Sequence, residues 1–457
     1  MKRSSFYSFR SIFITFLCAC LALLLTACGG AAATNGVGAS NPPNLISSTP
    51  LPTSQKSSLP QLVTTCPQAG QARAAALIAS SQNTHSNTVV YVYNQGAQAQ
   101  IGWLKRYDIA TGRKSTLLQL PDTIIDTAQV SADGQWVLFT SHKENSTPGS
   151  TKMQLIRIDG QGLQTLYCGG NGSQIDHVQW SQQSSLLFSE ASTSTQASTT
   201  YLLTMDKGTV QAELVISASP TDAPQGIQYY PLTWLDATHA YVIYSVNLPA
   251  ASPQPYGLYI LDTAKGAKQT LAQLQHVLDT KGEQWSIDPS RDGSQLFKSE
   301  FYFDHCTDSC KSGPAGPSSI TVEAATGGTP QTIYNDPLYA VSNLRVVSDK
   351  MLLVVLHSAR GDGARNGLWK MNSDGSNMTE LTPLNKLNGS TITWLNTFTQ
   401  SPWADISRDG SLYTVMRTQA EQELDFGSLN GGNTTQIAAV NANGNQGTIF
   451  VAGWGQV

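Results

Sequence analysis

The sequence predicts an all-β fold, a β-propeller of seven four-stranded blades whose ring is closed by the C-terminal strand, and three observations predict it. One phrase occurs three times: Ser131-Ala-Asp-Gly134 before Gln135-Trp-Val-Leu-Phe139, Ser290-Arg-Asp-Gly293 before Ser294-Gln-Leu-Phe297, and Ser407-Arg-Asp-Gly410 before Ser411-Leu-Tyr-Thr-Val415. Asp-Gly supplies a side chain that bonds its own backbone and a residue that accepts positive φ, and the apolar run after it suits a buried strand. Around these turns the chain divides into blocks of four short strands, here a to d, and such repetition means stacked sheets. The first block lacks strand a and the last segment lacks b to d, so the two ends complete one blade and leave no free sheet edge at the seam.

Taken in order, residues 1–27 form an export signal. Lys2, Arg3 and Arg10 precede an apolar run over 12–25, which is short for a membrane span and carries the charge layout of a signal peptide. The run ends in Leu25-Thr26-Ala27-Cys28, which resembles the bacterial lipobox. That resemblance implies lipidation of Cys28, cleavage before it and a membrane anchor of two or three acyl chains. Residues 28–61 are rich in Ala, Ser, Thr, Asn and Pro with Lys56 as the one charge, a composition that buries too little apolar surface to fold and reads as a tether.

Residues 62–457 carry the blades. The clearest block spans 128–169: strand a to Val130, the Asp133-Gly134 turn, b over 136–141, c over 153–158, the Asp159-Gly160 turn, and d to Tyr167. Further blocks start near Asp176, Tyr230, Gln284, Val341 and Pro402. A partial block has b over 89–93, c over 101–109 and d over 115–120; its strand a is expected at 448–457, where Ala452-Gly-Trp454-Gly takes the place of Val178-Gln-Trp180-Ser.

Gly367-Leu-Trp-Lys-Met-Asn-Ser-Asp374-Gly375-Ser-Asn-Met-Thr-Glu-Leu381-Thr382 resembles the c and d strands of a TolB-type WD40-like propeller repeat, and the Ser-x-Asp-Gly turns resemble the junction of its a and b strands. The resemblance covers most of 88–457 and is looser near Asp176 and Tyr230, where Gln183 and Ala237 replace the turn motif. The additional α/β domain of TolB has no counterpart here, so the resemblance implies a fold and leaves function open.

Charged residues are 13% of the chain and the net charge is −4, which provides no basic field for nucleic acid. Besides Cys28, four cysteines remain after processing, Cys66, Cys168, Cys306 and Cys310, an even number for an oxidising compartment. Three pairings exist on paper; Cys306 with Cys310 and Cys66 with Cys168 is the cheapest geometrically. Asp304-His305-Cys306-x-Asp308-x-Cys310 has metal-ligand residue types, but in an exported protein the disulfide is the preferred reading, and no metal or cofactor is expected.

Strands of a meander alternate direction, so the b–c and d–a connections share one face of the disc. The b–c connections are long, at 143–151, 191–199, 247–255, 304–317 and 358–366, and adaptable loops on a rigid scaffold are where recognition is expected. Trp180, Trp234 and Trp454 read as blade packing. Candidates for the binding face are the aromatics Tyr229, Tyr230, Trp285, Trp394 and Trp403, suited to sugar or protein contacts, with His142, His357 and Arg360 beside the loops. No nucleophile elbow, zinc helix, phosphate loop or calcium loop occurs, and no catalytic residue is assigned. The expected function is therefore a lipid-anchored, extracytoplasmic, non-catalytic binding or scaffold module for a protein, peptide or glycan. The alternative is a hydrolase or lyase with its site in the central funnel.

Overall fold

The computed structural model describes residues 63–78, 86–96, 100–143, 151–170, 172–181, 183–192, 198–211, 213, 227–246, 257–279, 284–304, 313–359, 363–382, 392–395, 403–418, 421–441 and 447–456. Cys28 with the signal and tether, the Cys306 and Cys310 pair, and Arg360 lie outside these residues.

The chain builds seven four-stranded antiparallel sheets in sequence order. Blade 1 contains β1 (Asn87–Gln95), β2 (Ile101–Asp108) and β3 (Lys114–Pro121). Blade 2 is β4 (Ile124–Val130), β5 (Trp136–His142), β6 (Lys152–Arg157) and β7 (Gln164–Cys168); blade 3 is β8 (Ser173–Trp180), β9 (Ser185–Ser192), β10 (Ser198–Thr204) and β11 (Thr209–Val210). Blade 4 is β12 (Ile227–Trp234), β13 (His239–Val246), β14 (Gly257–Asp262) and β15 (Gln275–Asp279); blade 5 is β16 (Gln284–Pro289), β17 (Gln295–Asp304), β18 (Gly313–Ala324) and β19 (Gln331–Asp336). Blade 6 is β20 (Ala340–Ser348), β21 (Met351–His357), β22 (Gly367–Asn372) and β23 (Thr379–Glu380); blade 7 is β24 (Ile392–Trp394), β25 (Leu412–Thr418), β26 (Glu421–Ser428) and β27 (Thr435–Asn441). The last strand, β28 (Gly447–Gln456), pairs antiparallel with β1, placing Trp454 opposite Val89 and Phe450 opposite Val92, and so supplies the missing strand of blade 1 as the sequence predicts.

Alternation along the strands assembles the ring. In β5, Trp136 and Leu138 join the cluster toward blade 3, whereas Val137 and Phe139 join the cluster toward blade 1. In β1, Val89 and Tyr91 pack toward blade 7 while Val90 and Val92 pack toward blade 2. Middle strands are thus buried on both faces, which is why β21 reads as an unbroken apolar run, and each large side chain so buried contributes about 1.5–3 kcal/mol. A one-residue slip would exchange the two interfaces of a blade, so the pattern fixes the register.

The repeated turn has one geometry in all three copies. Ser290 Oγ–H donates to Asp292 Oδ1 (2.6 Å), the same oxygen accepts from the Ser294 amide (3.0 Å), and Ser290 Oγ accepts from the Gln295 amide (2.9 Å). Ser407 with Asp409 and Ser131 with Asp133 repeat these bonds. The glycines take φ of +74°, +71° and +69° at Gly134, Gly293 and Gly410, the left-handed region that a Cβ penalises. In two copies the arginine after the serine reaches out of its blade. Arg291 Nε donates to Val347 O (3.1 Å), and Arg408 donates to Trp454 O (2.9 Å), Ser131 O (2.5 Å) and Ala132 O while stacking on Trp403 at 4.2 Å. Arg408 therefore clamps the ring seam across blades 7, 1 and 2.

Blade 7 departs from the sequence reading, which starts its inner strand near residue 402. Its first described strand is β24, which pairs Trp394 with Met416, and Ile406 bridges Tyr413 farther on.

Residues 63–78 form a strap on the rim of blades 2 and 3. Val63 runs parallel to β7 at Gln164, the Cys66–Cys168 disulfide fastens the strap with Cα atoms 5.8 Å apart, and the returning arm bonds Arg73 N to Leu166 O (2.8 Å) and Ala75 N to Met205 O (2.7 Å). The strap covers an outer edge that would otherwise present unpaired backbone groups.

Candidate functional site

Neighbouring inner strands contact one another at β28 and β4, β4 and β8, β8 and β12, and β16 and β20, and together with β24 they are the strands nearest the centre of the ring. Each runs from the long-loop face toward the short-turn face. Polar residues near their starts border the loop-side mouth, and polar residues near their ends border the opposite end.

At the loop-side mouth of blades 2 and 3, His142, Asp126 and Asp176 act on one another. His142, at the end of β5, directs Nδ1 at both oxygens of Asp126 on β4, at 2.8 and 2.9 Å. Asp126 occupies a register break between Ile125 and Thr127, a bulge that re-aims its side chain, and it is only 14% exposed. Burial raises its carboxyl, against which the His142 contact works. On β8, Asp176 accepts from Gln174 Nε2 (3.2 Å). Its carboxyl is pushed up to about 7, first by burial and then by the Asp126 carboxylate, with Gln174 and His142 opposing. The Asp126 carboxylate thus acts on Asp176 in a poorly solvated place, and no Lys or Arg of the described residues is among the groups acting on Asp176.

His177 follows in a second register break, between Asp176 and Gln179, with φ of +50°. That conformation costs a non-glycine residue on the order of 1 kcal/mol. Its ring stacks on Tyr230 of β12 (centroids 4.2 Å apart, planes 19° apart) and makes no hydrogen bond with the described residues. Burial depresses the imidazole to about 4, so it is neutral at physiological pH. Glu190 on β9 holds the approach to β8: its carboxylate accepts from Tyr167 Oη (2.8 Å), the Gly170 amide (2.7 Å) and Ser173 Oγ. A small cleft lined by Thr127, Gln129, Thr140 and Val178 opens between the two blades beside Asp126.

The short-turn end is different. Arg345 on β20 bonds Asp405 through Nε (2.9 Å) and Nη2 (2.8 Å) and lies 3.7 Å from Asp288 on β16, which also accepts from the Val346 amide at 2.5 Å. Asp288 is fully buried and raised to about 7, mainly by burial with Arg345 and Arg291 opposing. This end is neutralised internally, and its bonds tie blades 5, 6 and 7.

Of the residues singled out in the sequence, His142 bonds Asp126 at this mouth, and Tyr230 stacks on His177. Tyr230 is 3% exposed, and Tyr229 is 5% exposed, bonded through its amide to Ser198 Oγ (3.0 Å) and tilted against Tyr244. Trp285 is half-buried against the core of blades 4 to 6. Trp394 closes β24, but its side chain lies outside the described structure. Trp403 wedges into the ring seam, donating Nε1–H to Val130 O (3.0 Å), and His357 is buried at the end of β21. Asp126, Gln174, Asp176 and His177 were not among the sequence candidates. A signal existed: Asp126 and Asp176 each follow an isoleucine and each lie five residues before the turn serine, Ser131 or Ser181.

No family model matches the chain, and no curated protein matches its sequence. Among solved structures it is similar to an uncharacterized protein of Listeria monocytogenes, with 11% identity and a TM-score of 0.44 over 79% of this chain and 97% of that one. It is similar to the β-propeller domain of the Trilobed protease from Pyrococcus furiosus, with 9% identity and a TM-score of 0.46 over 78% and 97%. It is also similar to the Pyrococcus horikoshii acylaminoacyl peptidase, with 12% identity and a TM-score of 0.49 over 79% of this chain and 52% of that one. The chain's own sheet order and closure establish it as a seven-bladed β-propeller.

Proposed function

We propose that this protein is an extracytoplasmic propeller of the TolB-like, WD40-like repeat type, anchored in the cell envelope through lipidated Cys28 and a tether over 28–61. It acts as a binding or scaffold module for a protein, peptide or glycan. The Leu25 to Cys28 box and the charge-poor tether support the anchor. The observation that carries the binding reading is the loop-side mouth of blades 2 and 3, where His142 bonds Asp126 on its bulge and Asp176 and the strained His177 follow on the neighbouring inner strand. The test is capture of the anchored protein from its native membrane with identification of its ligand by mass spectrometry, in parallel with Asp176→Asn and His177→Ala variants. The variants should lose the ligand; equal capture by all three proteins rejects this mouth as the site.

The second reading is a hydrolase or lyase, and the His142–Asp126 contact is what favours it. A carboxylate that orients an imidazole sets up general acid–base chemistry, and Asp176 keeps a proton to about pH 7 for use as an acid. An enzyme would convert the captured ligand on incubation, and His142→Ala would stop the conversion.

A further inference from the structure

We propose that the strap over 63–78 is a thiol-operated latch: exchange at the Cys66–Cys168 bridge releases it and bares the outer edge of blades 2 and 3. The device is independent of the channel mouth and belongs to the outer rim of the same two blades.

The closed position is specific. Blade 3 turns from β10 into β11 at Gly208 (φ +65°), where a Cβ would lie 2.2 Å from the Ala74 amide nitrogen, so the strap is seated against a position that glycine leaves open. The buried Gln164 side chain reads the strap as a neighbouring strand would. Its Oε1 accepts from the Ala76 amide (2.8 Å), and its Nε2 donates to Ala76 O (3.1 Å). On the first arm, Thr165 Oγ–H donates to Thr64 O (3.1 Å) beside the two backbone bonds of Val63. These contacts grip main-chain atoms of the strap, and the Arg73 guanidinium adds a bond to Thr165 O (2.6 Å).

The apolar hold is weak. None of the described strap residues is fully buried, and Leu77 is 41% exposed. Segments with few buried apolar contacts open at the low end of the stability range, so the covalent bridge is what keeps the strap closed. That bridge is reachable from solvent: Cys66 lies in the exposed bend of the strap, and Cys168 is half-buried at the end of β7. An exposed disulfide is the labile kind, open to a thiolate. The reductant is a dithiol. Its first thiolate attacks Cys66 Sγ, the bond to Cys168 breaks, and Cys168 leaves as the thiolate. The second thiol then attacks the mixed disulfide, frees Cys66 and leaves the reductant oxidised to its own disulfide; two electrons pass to the protein and two protons end on its sulfurs. With the strap released, the β7 groups paired with Val63 and Arg73 face solvent, and the incoming chain first meets the ring at β1 instead of at blade 2.

Treating the purified protein with dithiothreitol in the absence of denaturant tests this. Alkylation followed by peptide mapping should find Cys66 and Cys168 free. Trypsin should cut after Arg73 about tenfold or more faster than in the oxidised chain, because cleavage tracks the open population. Hydrogen exchange at the Val63, Arg73 and Ala75 amides should speed up while the amides of β21 stay protected, and reoxidation should restore the original rates. A bridge that yields to the dithiol only once the ring is unfolded overturns the proposal. So does a reduced chain whose Arg73 stays uncut, or one whose β21 amides lose protection together with those of the strap, the mark of a staple on the whole fold.

Discussion

Replacing Cys66 and Cys168 together by serine should release the strap while leaving the ring folded. The bridge spans a sequence separation of 102. In the chain-entropy treatment, a loop of that length is worth about 4.7 kcal/mol at 25 °C, an upper limit on the loss. Local opening sets a lower cap. Without the bridge, the strap keeps the bonds from Val63 N to Leu163 O, Thr165 N to Val63 O, Arg73 N to Leu166 O, Ala75 N to Met205 O and Ala76 N to Gln164 Oε1, together with those of the Arg73 guanidinium. Among the described residues the strap sends Ala72 and Ala75 against the core of blades 2 and 3, and so small a buried surface lets it open locally at a cost below that of unfolding the ring. The unlinked strap should therefore detach, and the global midpoint in chemical denaturation should fall by less than the full loop value. Trypsin gives the local readout, because Arg73 is engaged with Thr65 O and Thr165 O in the parent and should become cleavable in the variant. A Ser/Ser protein with unchanged midpoint and an uncut Arg73 would refute the reasoning.

Deleting 447–457 should destroy cooperative melting or cause aggregation, since β28 is an interior strand carrying the fully buried Trp454 and its loss bares β1; differential scanning calorimetry checks this. Arg408→Met should cost about 2–4 kcal/mol by urea denaturation, because three carbonyls lose a charged donor at the seam, and Arg408→Lys should recover only part of it. His177→Gly should leave stability unchanged or raise it by up to about 1 kcal/mol by relieving the positive φ, yet abolish ligand binding, whereas His177→Val should destabilise. The pH dependence of stability should show two opposed contributions. His177 is depressed to about 4 from its ordinary 6.5, so its contribution is fully present above pH 6.5 and is lost as pH falls to 4. Asp176 is raised from 3.8 to about 7, so its contribution is fully present below pH 3.8 and is lost as pH rises to 7. Melting temperatures across pH 4–8 should lose the first trend in His177→Ala and the second in Asp176→Asn.

The fold was legible because its determinants are local. The Asp-Gly turns, the alternation that sends Val137 and Trp136 to opposite interfaces, and the unequal first and last blocks all lie within short windows. Blade 7 resisted because a turn serine at 407 implies an inner strand just before it, while β24 already pairs at Ile392–Trp394. The mouth was only partly legible. His142 drew notice for standing beside a loop, but its partner Asp126 reads as an ordinary strand residue until the ring places β4 beside β8. His177 offers no local sign of its positive φ, which depends on a bulge set by the pairing with β9. Tyr229 and Tyr230 illustrate the reverse: aromatics near the start of an inner strand suggested an exposed rim, and close blade packing buries both.

The most direct measurement is a structure of the anchored protein purified from its native membrane with its ligand retained. The expected result is ligand density at the loop-side mouth over blades 2 and 3, in contact with the Asp176 carboxylate and the His177 imidazole. Ligand density on the short-turn face or on the outer rim, with the mouth between β4 and β8 vacant, would contradict it.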